Sequence, residues 1–120
     1  MSSKFHNKKV KYDGFIFDSQ KECDRYIYLK QLQRQGAISS LTLQKKFKLT
    51  DSVYADKYGN IVPKGKGKCV LKASYYYCDF FYYNSYGDAI VEDVKGYKTD
   101  LYQLKKKVIA DKYGILIKEI

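Results

Sequence analysis

Tyr75-Tyr76-Tyr77-Cys78-Asp79-Phe80-Phe81-Tyr82-Tyr83 sets seven aromatic rings around a single carboxylate, and Asp93-Val94-Lys95 follows after one short polar loop. Such aromatic density suits a strand covered on both faces. An ionised side chain there is costly unless a cation or a set of donors compensates it. Asp79 therefore calls for a partner, and the candidates are a divalent metal and Lys95.

The spacing sets how the two segments pair. Asn84-Ser85-Tyr86-Gly87-Asp88 separates the aromatic run from Ala89-Ile90-Val91 and reads as a type I turn followed by a left-handed glycine. That three-residue loop pairs Asn84 with Asp88. Counting back along both strands, it sets Asp79 opposite Asp93 and Tyr77 opposite Lys95, all on one face because side chains alternate. A four-residue loop sets Asp79 opposite Glu92 instead. In either register two carboxylates meet with Cβ atoms about 5 Å apart, which is destabilising unless something positive lies between them. The three-residue loop is preferred, since it also delivers Lys95 to that face, and Glu92 then points away from Asp93.

Composition bounds the partners. The 120 residues suffice for one domain with its own core, and 23 basic against 13 acidic residues give a formal charge of +10. Residues 1 to 12 hold four lysines and no acid, and five lysines with no acid lie between Asp56 and Asp79. A clustered positive field attracts nucleic acid or an anionic membrane surface; scattered, it is only a solvated face. No apolar stretch approaches the roughly 18 residues of a membrane span and there is no signal-peptide pattern, so the expected compartment is the cytoplasm. Cys23, Cys69 and Cys78 lack metal-site spacing and read as reduced and mostly buried.

The elements follow from turns and periodicity. Residues 1–8 read as a flexible basic leader in which His6 faces solvent, and residues 9–120 as a single domain. Val10 to Phe17 is a hairpin turning on Asp13-Gly14. Ser19-Gln20-Lys21-Glu22 matches a capping box that opens a helix with Cys23, Tyr26, Ile27, Leu29 and Leu32 inward, closed by Gly36. Leu41 to Leu49 alternates as one strand. Lysine and glycine in Pro63-Lys64-Gly65-Lys66-Gly67-Lys68 predict a mobile loop at about 56–69. Asp100 and Gln103 suggest a second capping box and a helix over 100–113, with Leu101, Leu104, Val108 and Ile109 buried; Gly114 ends it and Ile115-Leu116-Ile117 closes as a strand. The fold class is α/β, a mixed sheet flanked by helices, in which a right-handed crossover makes the Asp93 strand parallel to the last one.

This order, αβββαβ behind an N-terminal hairpin, together with Ser19-x-x-Glu22, Asp79 and Asp93-x-Lys95, resembles the PD-(D/E)XK nuclease superfamily and its restriction-endonuclease-like core. Phe17-Asp18-Ser19-x-x-Glu22, Leu41-x-x-Gln44-x-x-Phe47 and Val91-Glu92-Asp93-Val94-Lys95-Gly96 more closely resemble a family of small phage-encoded proteins catalogued as a domain of unknown function. Cys78 stands where the superfamily pattern has proline.

The resemblance implies a metal-dependent DNA endonuclease. Asp79 and Asp93 would bind Mg²⁺ or Mn²⁺, with the Val94 carbonyl a further ligand and Glu22 completing the shell or orienting water. Lys95 would position or help deprotonate the attacking water. Lys64, Lys66, Lys68, Lys98, Lys105 and Lys106 would hold backbone phosphates, and Tyr97 and Tyr102 would stack on an unpaired base. A resolvase of branched phage DNA needs two active sites, so a homodimer goes with that branch, inside a bacterial host cell. Against these stand plainer readings: an Asp79–Lys95 ion pair without metal, Glu22 as a cap only, and a non-catalytic nucleic-acid-binding or inhibitory protein that keeps the fold.

Overall fold

Asp13 and Gly14 take φ of 54° and 81°, the two successive left-handed residues of a type I′ turn. They join β1 (Val10–Tyr12) to β2 (Phe15–Phe17) with Tyr12 opposite Phe15, the hairpin that Asp-Gly predicts. This geometry belongs to a computed structural model that describes residues 8–94 and 99–120. His6, Lys95, Tyr97 and Lys98 lie outside the described residues.

Ser19 caps α1 (Gln20–Arg34), its hydroxyl accepting the Glu22 N–H at 3.1 Å. Glu22, Cys23, Tyr26 and Leu29 form the buried face of the helix, and their spacing is that of one helical stripe. Ile27, expected inside, is 36% exposed because it stands at the margin of that stripe. Gln35 caps the end, and Gly36 leaves the helix at φ 81°.

The alternating run from Leu41 to Leu49 is two strands, not one. Gln44 takes a left-handed φ of 54° and separates β3 (Ser39–Leu43) from β4 (Lys46–Thr50). Next come β5 (Val53–Ala55), β6 (Ile61–Val62) and β7 (Lys68–Leu71), which pair antiparallel in the order β6-β5-β7. Strands thus occur in the stretch read as loop: backbone pairing organises it while every β7 side chain stays exposed, so no alternation marks it. Its turns are locally encoded. The Asp56 carboxylate accepts the N–H groups of Tyr58 and Asn60 at 2.9 and 3.0 Å.

The aromatic run is cut too, at Cys78-Asp79, into β8 (Ser74–Tyr77) and β9 (Phe80–Tyr83). After β10 (Ala89–Asp93) come α2 (Asp100–Tyr113) and β11 (Lys118–Glu119). Thr99, not Asp100, is the cap of α2, accepting the Tyr102 N–H at 3.0 Å. Its buried residues are Tyr102 and Ile109, whereas Leu101 and Leu104 are exposed, so the buried stripe is rotated from the expected one. The last strand starts after Ile117, since pairing to Glu92 and Asp93 selects Lys118 and Glu119.

The described residues group into two compact units. Residues 8–45, 78–94 and 117–120 hold a four-stranded sheet of order β11-β10-β9-β3, antiparallel except for the parallel β10–β11 pair that the crossover reading required. Phe80 and Tyr82 from that sheet pack with Phe17, Cys23, Tyr26, Leu29 and Ile38 into one core. Residues 46–77 and 99–116 hold the β4–β8 pair, the three-stranded sheet and α2. Phe47 meets Tyr113 edge-on at 5.3 Å there, and the Tyr113 hydroxyl donates to the Lys48 carbonyl. Among the described residues no helix is long and apolar enough to cross a membrane.

Candidate metal centre

Four strand pairs, from Ala89 opposite Tyr83 to Glu92 opposite Phe80, follow the register of the three-residue loop. Asn84 N–H donates to the Asp88 carbonyl and Gly87 N–H to that of Asn84, both at 3.0 Å. Beyond Phe80 the ladder slips. Asp79 N–H donates to the Glu92 carbonyl at 3.1 Å, so Asp79 and Phe80 both face Glu92 in the manner of a β-bulge. This corrects the expected Asp79–Asp93 cross-strand pair. The extra residue re-aims Asp79, whose Oδ2 accepts the Val94 N–H at 2.6 Å. Gln44 completes the seat: its Nε2 donates to Asp79 Oδ1 at 3.3 Å and its backbone N–H to the Asp79 carbonyl at 3.2 Å.

Asp93 is 1% exposed, Asp79 7% and Glu22 6%. All three belong to the unit containing α1 and the four-stranded sheet. Asp93 ends β10 and is fixed from the other side by β11: it pairs with Glu119, and its carbonyl accepts the Ile120 N–H at 3.0 Å. Glu22 lies on the buried stripe of α1, which a cap residue facing solvent does not require. Oxygen donors of this kind suit Mg²⁺ or Mn²⁺ in chemistry. Among the described residues no group of three or more His, Cys, Asp or Glu side chains is placed to hold a metal ion. Lys95 is outside the described residues.

Glu92 is the residue that sequence reasoning undervalued. It is fully buried, accepts from Arg25 Nε at 2.8 Å and Arg25 Nη2 at 2.6 Å, and also accepts from the Tyr82 hydroxyl. The hydrogen bond to Glu92 raises the Arg25 pKa, and burial followed by the Glu92 bond pushes the Tyr82 phenol up. A signal existed: in the preferred register Glu92 shares a face with Phe80 and Tyr82, so a buried cation had to come from the helix covering that face.

Of the residues expected to meet nucleic acid, Lys64, Lys66, Lys68, Tyr102, Lys105 and Lys106 belong to the other unit; Tyr97 and Lys98 lie outside the described residues. Lys64, Lys66 and Lys68 are exposed on the three-stranded sheet and its turn, while Lys105 and Lys106 are half-buried on α2. Tyr102 is 7% exposed, so its ring is part of the packing and does not offer a face for stacking on a base.

No curated protein and no solved structure matches the chain. A family model described as "Protein of unknown function (DUF1064)" matches residues 2–119. With nearly the whole length matched, the chain belongs to that family.

Proposed function

We propose that the protein is a metal-dependent endonuclease that hydrolyses phosphodiester bonds in DNA, built on a restriction-endonuclease-like core. The observation that carries this reading is the seat of Asp79: a buried carboxylate re-aimed by a bulge onto the Val94 N–H, next to buried Asp93. The order α1, β3, β9, β10, α2, β11 with β10 and β11 parallel supports the αβββαβ core.

Asp79 and Asp93 would hold Mg²⁺ or Mn²⁺, joined by the Val94 carbonyl, with Glu22 reaching in from α1. When bound, the ion supplies Lewis acidity and neutralises charge developing on the phosphate. Gln44 and the Val94 N–H keep the Asp79 carboxylate oriented. Lys95 positions the attacking water and helps take its proton. Lys64, Lys66, Lys68, Lys98, Lys105 and Lys106 hold backbone phosphates, which places the strand without reading its bases.

The test is incubation with linear, supercoiled and four-way-junction DNA plus Mg²⁺ or Mn²⁺. Cleavage that EDTA stops and that Asp93→Ala and Lys95→Ala abolish is expected; equal cleavage by wild type and variants removes the assignment. A non-catalytic DNA-binding role has its own support, since both Asp79 carboxylate oxygens already accept hydrogen bonds from the protein. DNA binding with no cleavage of any substrate would select it.

A further inference from the structure

The β5–β6 ladder sets Tyr54 opposite Val62 and Ala55 opposite Ile61, and there it ends. Pro63 follows in the position that would face Val53, and proline has no N–H with which to continue the pairing. A cleft of about 420 Å³ lies at this point, walled by residues 51–54 and 61–64 and by Lys48. Sites that enclose one small ligand measure about 300–1,000 Å³. The chemistry above gives the cleft no part.

Its lining is divided by chemistry. Tyr54, half-buried, supplies an aromatic ring, and Ile61 and Pro63 supply apolar carbon. Ile61 is 79% exposed, so folding leaves an apolar side chain of the lining uncovered. Lys48 Nζ and Asp51 Oδ1 stand 3.0 Å apart, a donor beside an acceptor. The hydrogen bond from Lys48 holds the Asp51 carboxyl below its ordinary value, so it stays ionised. Both side chains are largely open to solvent, and such a bridge adds little to stability. Lys64 brings a second, exposed ammonium to the same cleft.

A single nucleotide has the matching parts. Its base is a flat ring that stacks on an aromatic side chain, and the Watson–Crick edge of every base sets an acceptor beside a donor. Its phosphate pairs with lysine. In a duplex the base faces and that edge are taken up by neighbouring bases and the opposite strand, so they become available only when the nucleotide is unpaired. We infer that the cleft seats one unpaired nucleotide of a DNA strand, its base against Tyr54, its Watson–Crick edge on Lys48 and Asp51, and its phosphate on Lys64. This rests on the DNA reading proposed above and is independent of the metal.

Fluorescence anisotropy in EDTA, at one salt concentration, compares a short thymidine strand, an abasic strand of equal length and a duplex. The wild type is expected to bind the thymidine strand about fivefold or more tighter than the abasic one. Tyr54→Ala should weaken binding of the thymidine strand about 5- to 150-fold, as loss of a base–aromatic stack does, and leave the abasic strand and the duplex within about twofold. Equal affinity of the wild type for thymidine and abasic strands, or unchanged binding in Tyr54→Ala, overturns the inference, and duplex binding then leaves the DNA reading standing. A wild type that binds neither strand nor duplex removes that reading and the inference with it. Thymidine monophosphate carries the same base and phosphate; if it binds as tightly as the strand, the cleft serves a free nucleotide and the inference is overturned. If Tyr54→Ala does not fold, Ile61→Ser, at an exposed position, decides: several-fold weaker binding of the thymidine strand supports the inference and unchanged binding overturns it.

Discussion

Cys78 and Cys69 show how differently one residue type behaves in this chain. Cys78 is fully buried beside Asp79, and burial pushes its thiol up to about 12, whereas Cys69 is exposed. Burial raises the Cys23 thiol as well. Since only thiolates react quickly, a disulfide reagent at pH 8 should label Cys69 alone in the native protein and all three cysteines in denaturant, read by mass spectrometry. The folded protein keeps the Cys78 proton at pH values where the unfolded chain releases it. Stability from this group is thus complete below the ordinary thiol value of 9.0 and is lost as pH rises toward about 12. Urea midpoints measured between pH 8 and 10.5 should fall, and Cys78→Ala should flatten the decline. Arg25→Ala, which strands buried Glu92, should cost about 3–5 kcal/mol in the same denaturation assay.

At the scale of elements, local codes were legible and long-range ones were not. Asp13-Gly14, Ser19, Gly36, the Asn84–Asp88 loop and Gly114 each act within a few residues, and each marks a turn, cap or register in the fold. The strand breaks at Gln44 and Asp79 left no such mark. Gln44 carries a side chain into a left-handed conformation that the surrounding hydrogen bonds impose, and alternation runs through it unchanged. The bulge hid the same way, so Asp79 was legible as a buried carboxylate but not in its aim. Glu22 and Asp93 were legible as candidates, while the Arg25 fork on Glu92 joins residues 67 apart in sequence. In the three-stranded sheet a side chain at Gly67 would meet the Ala55 carbonyl oxygen at 2.3 Å. Gly67→Ala should therefore open the β5–β7 pairing, seen as faster amide exchange over Val53–Ala55 and Lys68–Leu71, with α1 protection unchanged.

For the whole molecule the net charge of +10 is the property on which the proposed DNA binding would draw. If the exposed lysines of the three-stranded sheet contact duplex phosphates, the triple variant Lys64→Ala, Lys66→Ala, Lys68→Ala should reduce the slope of log affinity against log salt. Each lost phosphate contact is worth about 0.9, so the three together approach 2.7. Anisotropy titrations in EDTA read this without cleavage, and an unchanged slope would remove these lysines from the interface. The four-stranded sheet has a further consequence, for behaviour at high concentration. One edge, β11, is two residues long. The other, β3, is bent by Ser40 at φ 59° and shifts register between Ser39 and Thr42, and its Leu41 N–H donates to the Gln33 side chain at 2.8 Å. Neither edge gives a visiting strand a straight, unoccupied row to pair with. An aromatic-rich sheet is thereby closed to templating its own copies at both margins, one by shortness and one by curvature and a glutamine.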